Sequence, residues 1–294
     1  MAGTAAALCG WTGKAVSVAE PRYVTSAAVF SSPHSGRHYP EAFRRLSRLD
    51  DTALRASEDA FVDDIFSMVP RYGAPLVAAQ FPRAFIDANR DEDELDPALI
   101  ARFSTRRPRT LRVSAGLGVV PRIVAENTPI YDGKLSMDEV KARIECCYRP
   151  FHSRLSDAIE RARARHGIAL LIDCHSMPSD TSRRGGRRAE IVLGDCYSAS
   201  AGGDISDAAF ALFRSAGFRV ARNAPFAGGY ITQRYGKPRE GVHAIQIEID
   251  RGLYLDQKRM VPTSNYPVLK RVLEPIVADL ASLPLRLGSA MAAE

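Results

Sequence analysis

The stretch Ile168-Ala-Leu-Leu-Ile-Asp-Cys-His-Ser176 constrains the fold more than any other. Five consecutive apolar residues after Gly167 read as a strand buried on both faces of a sheet, which points to an α/β architecture. Polarity returns at Asp173, Cys174, His175 and Ser176, so the strand is expected to end there. Ligands in open α/β sheets bind outside the carboxyl ends of strands, which puts these four residues where chemistry is usually done. A histidine at that point is a metal ligand, a general base or a hydrogen-bonded turn residue. Partners elsewhere in the chain must decide which.

An earlier strand is expected at Ala27-Ala-Val-Phe30, followed by a tight loop, Ser31-Ser-Pro-His-Ser-Gly36. A helix follows around Pro40 to Leu49. Another opens at Ser57 as N-cap, with Glu58 and Asp59 in its first turn and Phe61, Val62, Ile65, Phe66 and Val69 as its apolar face. Pro70 and Gly73 should end it, and strands are expected at Pro75 to Ala79 and Ala84 to Ile86. Residues 91–133 carry Asp91-Glu-Asp-Glu94 and the arginines 102, 106, 107 and 109, and read as long loops. Ser136 with Glu139 makes a capping box for a helix reaching about His166, kinked by Pro150.

Beyond the central strand, Thr181 to Arg188 reads as a mobile basic loop. Strands are expected at Ala189 to Leu193, Phe218 to Ala221 and His243 to Asp250, with helices at Asp204 to Ala216 and Asn265 to Leu283. Pro225 to Gly241, rich in glycine and aromatics, reads as irregular. With no internal repeat and no linker, the expectation is a loose tail over 1–20 and a single α/β catalytic domain over 21–294.

Two histidines after two strands can converge on one metal, because His34 mirrors the position of His175. Zinc takes about four ligands, commonly imidazole nitrogens and a carboxylate, with one position open in catalytic sites. A His-x-x-Glu spacing fails here, since Arg37 stands three residues after His34, which leaves Asp59 or Glu58. Acids in a helix's first turn are also favoured by the macrodipole alone. Glu248 alternates with Gln246 in its strand and is either a solvent-facing residue or a general base. Arg83 and Asp87-Ala-Asn-Arg90 form a polar set able to grip carboxylates or steady an oxyanion, or to form a surface salt bridge. Asn223, Pro225, Phe226, Gly228, Gly229 and Tyr230 suit the wall of a pocket. Cys174 is a poor nucleophile for His175, because strand neighbours point to opposite faces.

The charge of +6, mostly from scattered arginines without a lysine-rich tail or an RNA-binding aromatic pattern, argues against nucleic acid and suits a small acidic substrate. Five cysteines in no spaced framework fit reduced thiols in a cytoplasmic protein. The N-terminus lacks the pattern of a signal peptide, and no run is long enough to span a membrane. No signal for an oligomeric state is carried.

The ordered pieces Ser32-Pro-His-Ser-Gly36 with Pro40, Asp59 before Phe61-Val-Asp63, Asp87-Ala-Asn-Arg90 and Asp173-Cys-His-Ser-Met-Pro178 resemble the N-formylglutamate amidohydrolase (N-formylglutamate deformylase) family. The likeness continues through Leu193-Gly-Asp195, Asn223 to Tyr230 and Gln246-Ile-Glu-Ile-Asp-Arg251, spanning roughly residues 25 to 260. It implies a three-layer, zinc-peptidase-like fold, similar to the carboxypeptidase and aspartoacylase group, with a mixed, mostly parallel sheet flanked by helices. It also implies zinc-dependent hydrolysis of N-formyl-L-glutamate to glutamate and formate, and suggests a setting in histidine degradation. His34, Asp59 and His175 would hold zinc, Glu248 would be the base and Arg83 would steady the oxyanion. Asn89, Arg90, Asn223, Tyr230, Arg234 and Arg251 would bind substrate. Ser57 departs from the acid expected two residues before Asp59. The competing readings are a hydrolase of another N-acyl amino acid or small peptide, a basic nucleic-acid-binding protein, and a metal-binding homologue without activity.

Overall fold

The structure, a computed structural model, describes residues 2–106, 108–124, 127–181, 183–184 and 187–291. The amino-terminal half contains α1 (Ala2–Cys9), β1 (Val16–Ala19), β2 (Ala28–Ser32), α2 (Glu41–Leu46), α3 (Asp51–Arg55), α4 (Val62–Ile65), β3 (Leu76–Ala79), α5 (Leu111–Ser114) and α6 (Met137–Arg143). There follow α7 (Arg149–His166), β4 (Ala169–Met177), β5 (Arg183–Arg184), β6 (Arg187–Arg188), β7 (Ile191–Gly194), α8 (Gly203–Ser215) and β8 (Val220–Arg222). The chain closes with α9 (Tyr230–Tyr235), β9 (Val242–Asp250), β10 (Leu255–Asp256), β11 (Val261–Pro262) and α10 (Tyr266–Met291). Seven strands form one sheet in the order β1-β3-β2-β4-β9-β7-β8. The pairs β2–β4, β4–β9 and β7–β8 are parallel and β7–β9 is antiparallel, so the expected mixed, mostly parallel α/β sheet is present. No described helix is long and apolar enough to cross a membrane.

The chain divides into two compact units, each woven from three segments: Met1–Ser17, Pro33–Ala60 and Ala78–Ser153 in the first, Val18–Ser32, Phe61–Val77 and Arg154–Glu294 in the second. In the first unit, aromatic rings gather around the fully buried Arg143. Its guanidinium lies 4.4 Å from the Phe85 ring and donates to Phe85 O (3.0 Å) and Tyr131 Oη (2.7 Å). A buried charge is tolerated only when paired and hydrogen-bonded, and Glu139 supplies the counter-charge. The start of the chain differs from the loose tail expected. Ala2–Cys9 is helical and packs on α6, while Cys9 and Trp11 are buried and the Trp11 ring lies stacked 6.0 Å from Phe85. Alanine favours the helix and the indole supplies the apolar area that anchors it.

Ala84–Ile86 is not a strand but a turn, with Phe85 N and Ile86 N donating to Pro82 O. The helix expected from Ser57 is also absent. Only Val62–Ile65 is α-helical, preceded by Phe61 in the left-handed region (φ 64°), and Ser57 Oγ has no partner among the described residues. Instead of entering a helical ladder, Asp59 N–H donates to His34 O at 3.0 Å. Ser136 caps α6 as expected, accepting from Glu139 N, but the Glu139 carboxylate goes to Arg143. Between α6 and α7 the chain makes a π-helical turn, Ile144–Tyr148, directly before Pro150. Proline has no N–H to give the preceding turn, and the backbone there takes the wider π-helical spacing.

The second unit is built on β4, parallel to β2 on one side and to β9 on the other. Strand β4 does not end at Asp173. Its pairing with β9 continues to Met177↔Asp250, so the polar residues lie inside the sheet and all of Ala169–Met177 is buried. Helix α9 packs on β4 and β9, while α10 packs on β2 and α8. Pro225 to Gly241, expected to be irregular, contains α9, whose start is secured by Gly229 N–H donating to Thr232 Oγ1 (3.3 Å). Helix α10 runs past the expected end at Leu283, with Pro275 and Pro284 inside it. The basic stretch Thr181 to Arg188 lies partly outside the described residues, as does Arg107.

Candidate active site

His34 sits in the loop that follows β2 and is 1% exposed. Its Nε2 lies 2.7 Å from Asp87 Oδ1 and its Nδ1 3.3 Å from Asp59 Oδ2. Asp87 is the hub of this network. It also accepts from Arg83 Nε (3.0 Å) and from the Asn89 backbone N–H (2.8 Å), and Arg90 Nη2 lies 3.9 Å away. Burial alone would raise the Asp87 carboxyl, but Arg83, Arg90 and His34 together hold it well below the usual carboxylate range. The turn that replaces the expected strand at Ala84–Ile86 makes this possible, by bringing Arg83 and Asp87 to helical i,i+4 spacing. Arg90 is equally fixed, its Nε donating to Leu117 O (2.9 Å) and its Nη1 to Asn89 O (2.7 Å). Burial lowers its pKa to about 10, against the opposing pull of Asp87.

His175 lies within β4 and is 2% exposed. Its Nε2 lies 2.8 Å from Asp173 Oδ2, and Asp173 Oδ1 accepts from Ser31 Oγ at 2.6 Å. Register places Glu248 beside His175 and Gln246 beside Asp173, so strand pairing sets four polar side chains on one face. Gln246 Nε2 donates to Glu248 Oε1 at 2.7 Å. Glu248 is 7% exposed, which excludes a freely solvent-facing role.

Among the described residues, His34, Asp59 and His175 each offer one ligand atom, and these atoms lie within 4.8 Å of one another. The donor set suits a divalent metal: two imidazoles and a carboxylate, all buried, with a backing carboxylate on Nε2 of each histidine. Glu58 is not in the group. Its carboxylate is occupied by Tyr39 Oη (2.6 Å) and Arg55 Nε (3.1 Å), and burial raises its pKa.

The remaining candidates separate into distinct surroundings. Arg251 is buried, with Nε donating to Ser176 Oγ (3.1 Å). Asn223 is tied at both ends to one residue, accepting from Asp195 N (3.0 Å) and donating to Asp195 Oδ1 (2.7 Å). Tyr230 and the exposed Arg234 form a pair on α9. Cys174 is fully buried, and burial with Asp173 nearby pushes its thiol well up, which removes it as a nucleophile. Asp87, Asp173 and Gln246, marked in the sequence only as members of polar stretches, each bond directly to a site residue: His34, His175 and Glu248. Strand alternation carries the signal for Asp173 and Gln246, which sit two residues from His175 and Glu248. No local pattern marks Asp87 as the partner of a residue 53 positions away.

Residues 26–255 match the family model described as N-formylglutamate amidohydrolase. The N-formylglutamate deformylase of Pseudomonas putida is 26% identical over 260 residues, covering 85% of this chain and 92% of that protein. The crystal structure of N-formylglutamate amidohydrolase from Ralstonia eutropha JMP134 superposes with a TM-score of 0.88 at 34% identity, covering 93% of this chain and 99% of that one. A gene product of Agrobacterium tumefaciens shares the fold, with a TM-score of 0.66 at 21% identity over 94% of this chain and 97% of that one.

Proposed function

This chain belongs to the N-formylglutamate amidohydrolase family, and we propose that it hydrolyses N-formyl-L-glutamate to L-glutamate and formate with the help of a bound zinc ion. The observation that carries this reading is the buried group His34, Asp59 and His175, with Glu248 in register beside His175. The three residues would hold the metal. In each histidine a carboxylate occupies Nε2, which selects Nδ1 as the ligating nitrogen. When bound, zinc supplies a Lewis acid that polarises the carbonyl and lowers the pKa of water towards ~7.

The chain's own groups do the rest. Glu248 accepts a proton from the attacking water as its oxygen bonds to the formyl carbon, and returns one to the nitrogen as the C–N bond breaks. The Arg83 guanidinium steadies the negative charge that develops on the carbonyl oxygen. Asn89 and Arg90, with Arg251 and Arg234, read the glutamate carboxylates, while Asn223 and Tyr230 shape the pocket wall. The +6 balance supports an anionic substrate. All of these residues fall inside the matched span, which supports treating residues 21–294 as the catalytic domain. Five free thiols support a reducing compartment, and we place the reaction in the cytoplasm, in the setting of histidine degradation that the family suggests.

The test is release of free glutamate from N-formyl-L-glutamate by purified protein, after chelation and again after zinc is restored, beside N-acetyl-L-glutamate. Zinc-restored release from the formyl substrate supports the reading. Release only from the acetyl substrate would move it to another N-acyl amino acid, and release unaffected by chelation would remove the metal.

A further inference from the structure

We infer that the π-helical turn Ile144–Tyr148 is a positioning device for the substrate clamp, and that Tyr148 and His152 set where Asn89 and Arg90 sit without acting on the metal. The inference rests on the hydrolase reading above, in which Asn89 and Arg90 read a glutamate carboxylate. Phe85 to Arg90 lies in no strand or α-helix, so no regular ladder of backbone bonds fixes its course. Side chains from one stretch of chain, in the same compact unit, hold it instead. Arg143 Nη1 donates to Phe85 O at 3.0 Å, His152 Nε2 to Ala88 O at 2.9 Å and Tyr148 Oη to Arg90 O at 2.8 Å. All three donors are buried, as are Ala88, Asn89 and Arg90.

The spacing of these donors accounts for the π-helical turn. In a regular α-helix, residues five apart point about 140° away from each other, so Arg143 and Tyr148 would face different ways. Here Arg149 N–H bonds to Ile144 O, five residues back rather than four. The wider turn takes up the extra residue, and Arg143, Tyr148 and His152 all bear on the same segment. The His152 ring is further fixed by its neighbours, with centroids 4.3 Å from Tyr148 and 5.5 Å from Phe151. The metal side of the segment has ties of its own. Asp87 N–H donates to Val119 O at 2.8 Å, and the Asp87 carboxylate is bonded to Arg83 and His34. Losing a donor at Tyr148 or His152 therefore loosens the clamp and leaves the support of His34 in place.

The experiment measures kcat, KM and zinc content for zinc-loaded wild type, Y148F, H152L and H152Q. The substrates are N-formyl-L-glutamate and its two mono-amides, N-formyl-L-glutamine and N-formyl-L-isoglutamine. Tyr148→Phe removes one oxygen and keeps the ring, so it carries the test even where H152L does not fold. Y148F and H152L should raise KM for N-formyl-L-glutamate about 10-fold, with kcat within about 3-fold and zinc content unchanged, because a misplaced clamp weakens ground-state and transition-state binding alike. The preference for the diacid over one of the mono-amides should narrow by a similar factor. His152→Gln keeps an N–H donor near the Nε2 position and should recover most of the loss. An unchanged KM in Y148F, a fall in kcat with the diacid preference intact, or a loss of zinc would overturn the inference. Wild type that hydrolyses the diacid and both mono-amides equally would keep the hydrolase but remove the clamp, and the inference with it. If wild type turns over none of the three, the hydrolase reading itself fails and takes the inference with it.

Discussion

The two histidines of the candidate centre are held in different ways. His175 is fixed by a strand: β4 is paired along its whole length, and register sets Glu248 beside it. His34 lies in a loop, and its ring direction rests on Asp87 and Asp59, whose own positions depend on Arg83, Asn89 and the irregular segment before Phe61. A strand places a side chain through many backbone hydrogen bonds, whereas a loop places it through a few side-chain bonds. The loop half of such a centre should therefore be the more fragile.

The largest expected effect does not distinguish the halves. Glu248→Gln should lower kcat by about 10²–10⁴-fold, the range for loss of a general acid–base, with metal content unchanged. Unaltered turnover would sink the base assignment. Removing the carboxylate behind each histidine separates the two halves. Asp87→Ala should weaken zinc binding by about 10–100-fold, the usual cost of losing such a support. Asp173→Ala should cost less, because β4 still orients His175, and a competitive chelator titration that reversed this order would show that the strand does not hold His175 more firmly than the loop holds His34.

A smaller effect is expected at Asp195. Burial raises its carboxyl, but hydrogen bonds from Ser198 N–H and Asn223 outweigh that and hold its pKa below the ordinary value. A carboxyl depressed on folding stabilises the protein above the unfolded pKa, and that contribution is lost as pH falls through the folded value. Asn223→Ala raises the folded pKa and should move the acid-unfolding midpoint to higher pH, by a few tenths of a unit. An unchanged midpoint in circular dichroism would remove Asn223 as the cause.

What could be read in the sequence follows the same division. Val242–Asp250 alternates and Ile168–Ile172 is continuously apolar, so both central strands were legible, and with them His175 and Glu248. The end of β4 was not, because the polar Asp173 and His175 satisfy each other inside the sheet rather than marking its edge. Residues 57–69 carry apolar residues at helical spacing, yet only Val62–Ile65 is α-helical. The left-handed Phe61 and the bond from Asp59 N–H to His34 O come from long-range contacts that local spacing does not encode. The motifs around His34 and Asp59 pointed to these residues through family likeness, while their geometry came only from the fold.

If His34, Asp59 and His175 together hold one divalent metal, removing any of them should release it. The most direct test is the zinc content per chain of the zinc-restored protein and of the variants His34→Ala, Asp59→Ala and His175→Ala, each shown by circular dichroism to be folded. One zinc per chain is expected in wild type, with a marked loss in every variant. Full zinc in all three folded variants, or none in wild type, would contradict it.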